Sequence, residues 1–423
     1  MATRDIIVHI WLEDQTEPVP CGRLTYTYDG RNSFSEFSYG RRYLERGNAI
    51  PIDPIRLPLD NRNYTTEEGF DLPGAIRDAS PDGWGRHVLS RLKGTQELAE
   101  IDYLCLADPE DRFGALGFGV SPKQLGGFDE GFDKVRNENH GAKISSDDDF
   151  LGMLDHIEDL IKYEKTDENK VLAQYFFRGT SLGGARPKAT VRIGNEYWLA
   201  KFPRADDPSP ITRYEYVMME LGREMGLDVP ETKLIKVANR YIYLIKRFDR
   251  LPISEKGIRK THAISALTAI GANERDYGIW GYQDLDRFLQ QYGEDYMKDR
   301  KELFGRIALN IATSNTDDHL RNHSFLYQGG KFSLSPLYDV CPIVQDQTSV
   351  KNLYLNIGTN GREATFENLK SYADKMGLSS SINSETLNFL NDALTNKFPS
   401  LMEKAELNTL ERRALESQIR KPV

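Results

Sequence analysis

The pattern that most constrains this chain lies between Leu303 and Val340. Leu303, Ile307 and Ile311 recur at helical spacing, which predicts an apolar-faced helix over Leu303–Ser314. A polar run follows at once, Asn315-Thr-Asp-Asp-His-Leu-Arg-Asn322. Next comes a hairpin over Ser324–Leu334, turned by Gly329-Gly330, and then Ser335-Pro-Leu-Tyr-Asp-Val340. Oxygen-bearing side chains at Asp317, Asn322 and Asp339 are thus separated by one short loop and one hairpin. Taken singly, each reads as a capping residue at a helix end or turn. Their order is what asks for a common explanation.

The rest of the chain excludes several classes of protein. At 423 residues it exceeds one ordinary core, and domains of about 100–200 residues predict two or three units. Hydrophobic residues at 39% and charged residues at 28% argue against disorder. With 55 basic and 64 acidic side chains the net charge is −9, so no basic surplus supports DNA binding by the chain alone. Cys21, Cys105 and Cys341 lie far apart and make no Cys-x-x-Cys pair, which excludes a disulfide framework and fits a reducing compartment. The run Ile6–Trp11 is flanked by Asp5 and Glu13, unlike a signal peptide. No window reaches the roughly 20 apolar residues of a membrane span. A cytoplasmic location is expected.

Short β-type runs occupy Ile6–Trp11, Gly22–Tyr28 and Ser33–Tyr39, and Ser80–Leu92 reads as a capped helix start. That segment and the glycine-punctuated Asp111–Phe118 are expected to serve as packing and turn elements. Residues 121–149 read as a linker or exposed loop, and a helix is predicted over Phe150–Tyr163. Strand, strand, helix and strand follow between Ser181 and Phe248, with helices dominating beyond Thr261. The expected domains are 1–140, 141–255 and 256–423.

Gly179-Thr-Ser-Leu-Gly-Gly-Ala-Arg-Pro-Lys188 is a small-residue stretch before a strand, where backbone N–H groups can approach an anion. Its spacing is neither a Walker A loop nor the Gly-x-Gly-x-x-Gly of most kinases. Ser181, Gly183, Gly184, Ala185 and Lys188 are the candidates there. Lys201 lies in the strand-like Glu196–Pro203, and Glu215 lies near the start of the next helix. A strand lysine paired with a helix carboxylate orients nucleotide phosphates in protein kinases, although strand lysines more often reach to water. Asp317 and Asn322 keep the Asp-x-x-x-x-Asn separation of a kinase catalytic loop, with the acid as base and the amide oxygen on a magnesium ion. Asp339 adds the second hard ligand. His319 and His323 are spaced i, i+4, but with no third ligand nearby they are expected to hydrogen-bond within the loop, with His319 also a candidate nucleotide contact. Lys246 and Phe248, in Leu244–Arg250, stand where a kinase hinge meets adenine.

With these segments in this order, the chain resembles the HipA family of serine/threonine kinases over nearly its whole length. Ser80–Arg86 and Asp111–Phe118 resemble that family's amino-terminal domain. Ser181–Lys188, Lys201, Lys246–Arg250, Asn315–Asn322 and Leu337–Val340 resemble its core. The resemblance implies an α/β (α+β) fold: a bilobal protein-kinase-like core, a β-rich N-terminal accessory domain and a mostly helical C-terminal lobe. It implies ATP and Mg²⁺ as cofactors, Asp317 as base, Asn322 and Asp339 as metal ligands, Lys201 on the phosphates and autophosphorylation of Ser181. The implied partners are a protein substrate, such as an aminoacyl-tRNA synthetase, and a small helix-turn-helix antitoxin (HipB-like) that carries the contact with operator DNA. No membrane is implied. Arg186 and Pro187 replace the polar residues often found there, and Lys246 replaces a common acid. A small-molecule phosphotransferase and a non-catalytic regulatory subunit of an antitoxin–DNA complex are the alternatives.

Overall fold

A computed structural model describes residues 2–422 apart from 14, 96–97, 139–141, 163–175, 177–183, 254–256 and 345–350. The chain divides into two compact units. The first comprises Met1–Arg204, Lys246–Ile264 and Leu326–Gly330; the second comprises Ala205–Ile245, Ser265–Phe325 and Lys331–Val423. The class is mixed α/β, as the sequence predicts. Among the described residues no helix is long and apolar enough to cross a membrane.

The first unit opens with β1 (Ala2–Ile10), β2 (Val19–Tyr28), β3 (Ser33–Tyr39), β4 (Tyr64–Thr65) and β5 (Leu116–Gly119). They form an antiparallel sheet in the order β4-β3-β2-β1-β5. Ile6, Val8 and Ile10 alternate onto its buried face, with Leu24 and Phe37 in register beside Ile6. Helix α1 (Gly83–Lys93) is capped by Asp82 and stopped by Gly94. It packs on α2 (Glu100–Leu106) through Leu89, Tyr103 and Leu106, with Arg86 paired to Glu100.

The stretch expected as a linker over 121–149 instead holds α3 (Glu130–Glu138) and β6 (Ala142–Ile144). Asp129 accepts from the backbone N–H groups of Gly131 and Phe132 and pairs with Lys93, which starts a helix that the polar composition conceals. Ala142–Ile144 becomes a strand because it pairs in parallel with β7 (Lys188–Ile193), a long-range contact that no local signal announces. Helix α4 (Asp147–Lys162) starts three residues before the apolar pattern does, because Asp149 accepts from the N–H groups of Ser145 and Ser146. Strand β7 turns back antiparallel into β8 (Glu196–Lys201).

A buried polar core holds this unit together. Arg247 pairs with Asp111 and Asp249, and it donates to the carbonyl of Arg112 at 2.8 Å and to Thr190 Oγ1 at 3.2 Å. Asp249 also accepts from the N–H of Gly114 at 2.9 Å, and Arg250 donates to the Gly114 carbonyl at 2.8 Å. Arg112 spends its guanidinium on the carbonyls of Ala79, Leu104 and Ala107. Gly114 sits at φ +71, and a Cβ there would stand 3.0 Å from the backbone of Ala263. The segments 111–114 and 247–250, unrelated in sequence, are therefore two sides of one ion network.

The second unit contains α5 (Ile211–Glu224), the antiparallel strands β9 (Thr232–Val237) and β10 (Arg240–Lys246, up to Ile245), α6 (Tyr282–Tyr292) and α7 (Tyr296–Thr313). Beyond these lie α8 (Phe366–Met376), α9 (Ser380–Asp392), α10 (Phe398–Lys404) and α11 (Thr409–Glu416). Helix α7 is more than the one-faced helix expected. From Leu303 to Thr313 every residue is buried, because α5, α6, α8 and α9 pack around it. Its polar residues are paired inside: Arg306 reaches the carbonyl of Ser335 and the carboxylate of Glu302.

Removing Arg247 takes a guanidinium from two buried carboxylates, Asp111 and Asp249, and leaves Asp249 with Arg250 and the Gly114 N–H. Arg247→Ala is expected to cost about 3–5 kcal/mol of unfolding free energy, read by urea denaturation. Burial alone would raise the Asp249 carboxyl, but Arg247 and Arg250 outweigh it and hold it at about 2, below its ordinary 3.8. The unfolded chain therefore takes up the proton first. The stability Asp249 adds is complete above about pH 4 and is lost as the pH falls towards 2. Asp249→Asn should flatten the melting temperature across that interval, and an unchanged acid limb would remove Asp249 from the account.

Candidate active site

In the first unit, Lys188 opens β7 and Lys201 closes β8, and they are direct register partners. Both are buried, at 6% and 8% exposure, so Lys201 does not extend to water. Opposed residues of an antiparallel pair project from the same face with Cβ atoms about 4.5–5.5 Å apart, so the two lysines share one face of the sheet. Gly184 lies at φ +80, and a Cβ on it would stand 2.4 Å from Lys188 Nζ. Only a bare backbone lets the ammonium lie against the loop.

The loop is buttressed from α1. Asp82 accepts from Gly184 N–H at 3.1 Å, Trp84 N–H donates to the Gly184 carbonyl at 3.0 Å, and Trp84 Nε1–H donates to the Lys188 carbonyl at 2.9 Å. Ser80–Arg86 is thus a packing element, and what it packs is the end of the glycine loop. Ala185 is exposed beside it. Ser181 and Gly183 lie outside the described residues. Lys246 is held by Glu196 and lies over Trp198, while Phe248 is half-buried, edge-on to Phe113 at 6.5 Å.

The second unit carries Glu215, Asp317, His319, Asn322 and Asp339. Glu215 is buried on α5. Lys201 and Glu215, suggested as an ion pair, belong to different units. The local organiser of the polar loop is Asp318, the neighbour of Asp317. It is 3% exposed, and Tyr282 Oη, Asn310 Nδ2 (2.7 Å) and His323 Nε2 (2.9 Å) converge on its Oδ2. Burial first, and then the Asp318 charge, push the Tyr282 phenol well above its ordinary value, so Tyr282 remains a donor. His323 is thereby committed to Asp318, while His319 lies edge-on to Tyr354 at 5.8 Å. The i, i+4 histidines do not form a pair.

With Asp318 turned inward, its neighbour Asp317 is exposed. The backbone carbonyl of Asp317 accepts from Asn322 Nδ2 at 3.0 Å and from His319 N–H at 2.8 Å, and Asn322 N–H donates to the His319 carbonyl at 2.9 Å. These bonds close the loop over Leu320–Asn322 into a short 3₁₀ turn. Asn322 spends an N–H of its amide on the loop, and the oxygen of the same amide is its acceptor end. The carboxyl of Asp317 is raised above the ordinary value by the protein packed behind it and further by the charges of Asp339 and Asp318, with His319 pulling the other way.

Asp339 adopts φ +62, a left-handed conformation rare for a residue with a side chain and costing about 1–3 kcal/mol. It is held there by its flanks: Tyr338 Oη donates to the Arg321 carbonyl at 2.8 Å, and Leu337 N–H donates to the Asp228 carbonyl at 2.7 Å. The loop and the Asp339 segment are therefore one assembly, rich in negative charge. Among the described residues no group of three or more His, Cys, Asp or Glu side chains gathers as a metal cage. An amide oxygen and one carboxylate suit Mg²⁺, which keeps positions for phosphate and water.

A model of the HipA-like C-terminal domain matches residues 180–398, and one of the HipA N-terminal domain matches residues 8–118. A putative kinase of Haemophilus influenzae is 29% identical over 182 residues, covering 38% of this chain and 52% of that protein. Toxin YjjJ of Escherichia coli is 25% identical over 308 residues, covering 66% of this chain and 62% of that one. The chain thus spans between about half and two thirds of the length of these curated relatives. The Shewanella oneidensis HipA, solved with HipB and operator DNA, superposes with a TM-score of 0.67 at 16% identity, covering 98% of this chain and 94% of that chain. That likeness establishes the fold. The domain matches, the larger spanning the loop, the strand lysine and the Asp339 segment, establish the family: this chain belongs to the HipA family.

Proposed function

We propose that this chain is an ATP-dependent serine/threonine protein kinase that acts as the toxin of a toxin–antitoxin pair. The observation that carries the reading is the division of labour between adjacent carboxylates. Three buried donors consume Asp318, which leaves Asp317 exposed at a bonded turn with Asn322. Lys188 and Lys201 bind phosphate oxygens of the nucleotide. Asn322 and Asp339 hold Mg²⁺, which neutralises phosphate charge when bound. Asp317 accepts the proton of an acceptor hydroxyl as its oxygen forms a bond to the γ-phosphorus, and the bond from that phosphorus to the β–γ bridging oxygen breaks, leaving ADP. The raised carboxyl of Asp317 suits a group that must take up a proton.

Ser181 is the proposed autophosphorylation site. A phosphate there would add about −1.5 to −2 charges close in sequence to Lys188 and would compete with ATP for the same cations. The kinship with a protein named a toxin, and with a HipA solved with HipB and operator DNA, supports a small DNA-binding antitoxin as partner. The net charge of −9 fits operator contact made mainly through such a partner.

Asp317→Ala should lower phosphoryl transfer by roughly 10²–10⁴-fold with an unchanged melting temperature. Asp318→Ala should lose activity and also about 3 kcal/mol or more of stability, because three buried donors are left without an acceptor. Radiolabelled ATP transfer and thermal melts on both proteins test this, and an active Asp317→Ala would end the assignment. Asn322→Ala and Asp339→Asn should each weaken nucleotide binding in Mg²⁺ while leaving the metal-free affinity nearly unchanged. A fluorescent ATP analogue titrated with and without Mg²⁺ reads the difference, and a variant keeping the wild-type Mg²⁺ effect is not a ligand.

A further inference from the structure

Helix α7 delivers the chain into the Asp317 loop, and its last turn is finished by residues far downstream. Like any helix end it leaves carbonyls without partners from its own ladder. One of these, the Ala312 carbonyl, accepts the backbone N–H of Arg420 at 2.8 Å. Ser314, the cap, lies at φ +55 and is 1% exposed. A left-handed serine carries a steric cost that glycine would avoid, so it needs compensating contacts. Its hydroxyl donates to the Gln418 carbonyl at 2.7 Å, 104 positions later.

Gln418 is itself fixed on a second side. It is 3% exposed, and its Oε1 accepts from Lys351 Nζ at 2.5 Å. Arg420 Nη1 donates to the Ala364 carbonyl at 2.8 Å, and Ala364 N–H donates to the Lys351 carbonyl at 2.8 Å. Leu415, fully buried on α11, anchors the approach to this segment. The stretch 418–420, with Gln418 buried and Ile419 and Arg420 half-buried, is therefore a strap. It ties the end of α7 to the 351–364 segment, and its bonds to that helix end fall at Ala312 and Ser314, five and three residues before Asp317.

We infer that Gln418, oriented by Lys351, is a positioning residue for the Asp317 loop: the strap sets where α7 ends and so where Asp317 is presented. The inference rests on Asp317 being the base. Gln418 touches no reacting group, and nothing in its role requires contact with nucleotide. A displacement of about 1 Å at a reacting group can cost about 100-fold in rate, so slackening this link should act on turnover before it acts on binding.

Two variants separate positioning from folding. Gln418→Ala removes the side-chain anchor and keeps the carbonyl. Ser314→Gly removes the hydroxyl bond and leaves the residue best suited to φ +55, so the helix end remains well formed. Each should lower kcat by about ten-fold or more, with nucleotide affinity and KM for ATP within two-fold of wild type. Gln418→Glu, which can still accept from Lys351, should restore most of the rate, and Lys351→Met should copy the loss. Amide exchange across 315–322 should quicken in Gln418→Ala and Ser314→Gly. Both variants keeping kcat within two-fold, or losing nucleotide affinity in step with kcat, would overturn the inference. Asp317→Ala in the same assay guards the underlying reading. If it remained active the kinase base would be misassigned, and the amide exchange of the two variants would still decide whether the strap orders the loop.

Discussion

A carboxylate buried in protein needs donors to replace the water it has lost, and Asp318 has three on one oxygen. Tyr282 comes from α6, Asn310 from α7, and His323 from the far side of the loop itself. The bond network therefore fixes two helices and a loop relative to one carboxyl group, and the loop's direction follows from it. Adjacent residues in a tight turn leave the backbone in different directions. Committing Asp318 inward commits Asp317 outward. Asn310 extends the arrangement by accepting from Asn315, the first residue of the loop.

The second unit surrounds this centre with contacts that prevent adjustment. Helix α7 is buried along its last three turns, so it cannot rotate without displacing four neighbouring helices. Tyr338 then ties the Asp339 segment to the Arg321 carbonyl, which keeps a strained left-handed aspartate in register with the loop. The first unit solves a different problem by the same means. Its ion network joins 111–114 to 247–250, and α1 pins Gly184, so Lys188 and Lys201 are presented from a framework whose charges are already paired.

Much of this was legible in the residues. The spacing of Asp317, Asn322 and Asp339, the strand lysine and the small-residue stretch before Lys188 are local features, and each keeps its place in the HipA family's order. Helix positions followed from apolar periodicity, although α4 and α7 begin before the expected limits, because starts organised by Asp149 and capped by Asp295 carry no apolar pattern. The polar composition of residues 121–149 reads as a linker, whereas β6 exists there only through its pairing with β7. Lys201 was expected to lean towards reaching water and is instead buried opposite Lys188.

By itself, then, the sequence determined the class of the fold, the order of its elements and the chemical character of the candidate groups, because these depend on residue type and on separations of a few positions. The tertiary structure decided which of two adjacent aspartates faces out, which histidine is spent on a carboxylate, and which distant segments finish the helix before the loop. Those outcomes depend on partners such as Tyr282, Lys351 and Gln418, many tens of residues away. Desolvation makes each buried polar group bind whichever donor or acceptor the packing brings to it, and no local pattern names that partner in advance.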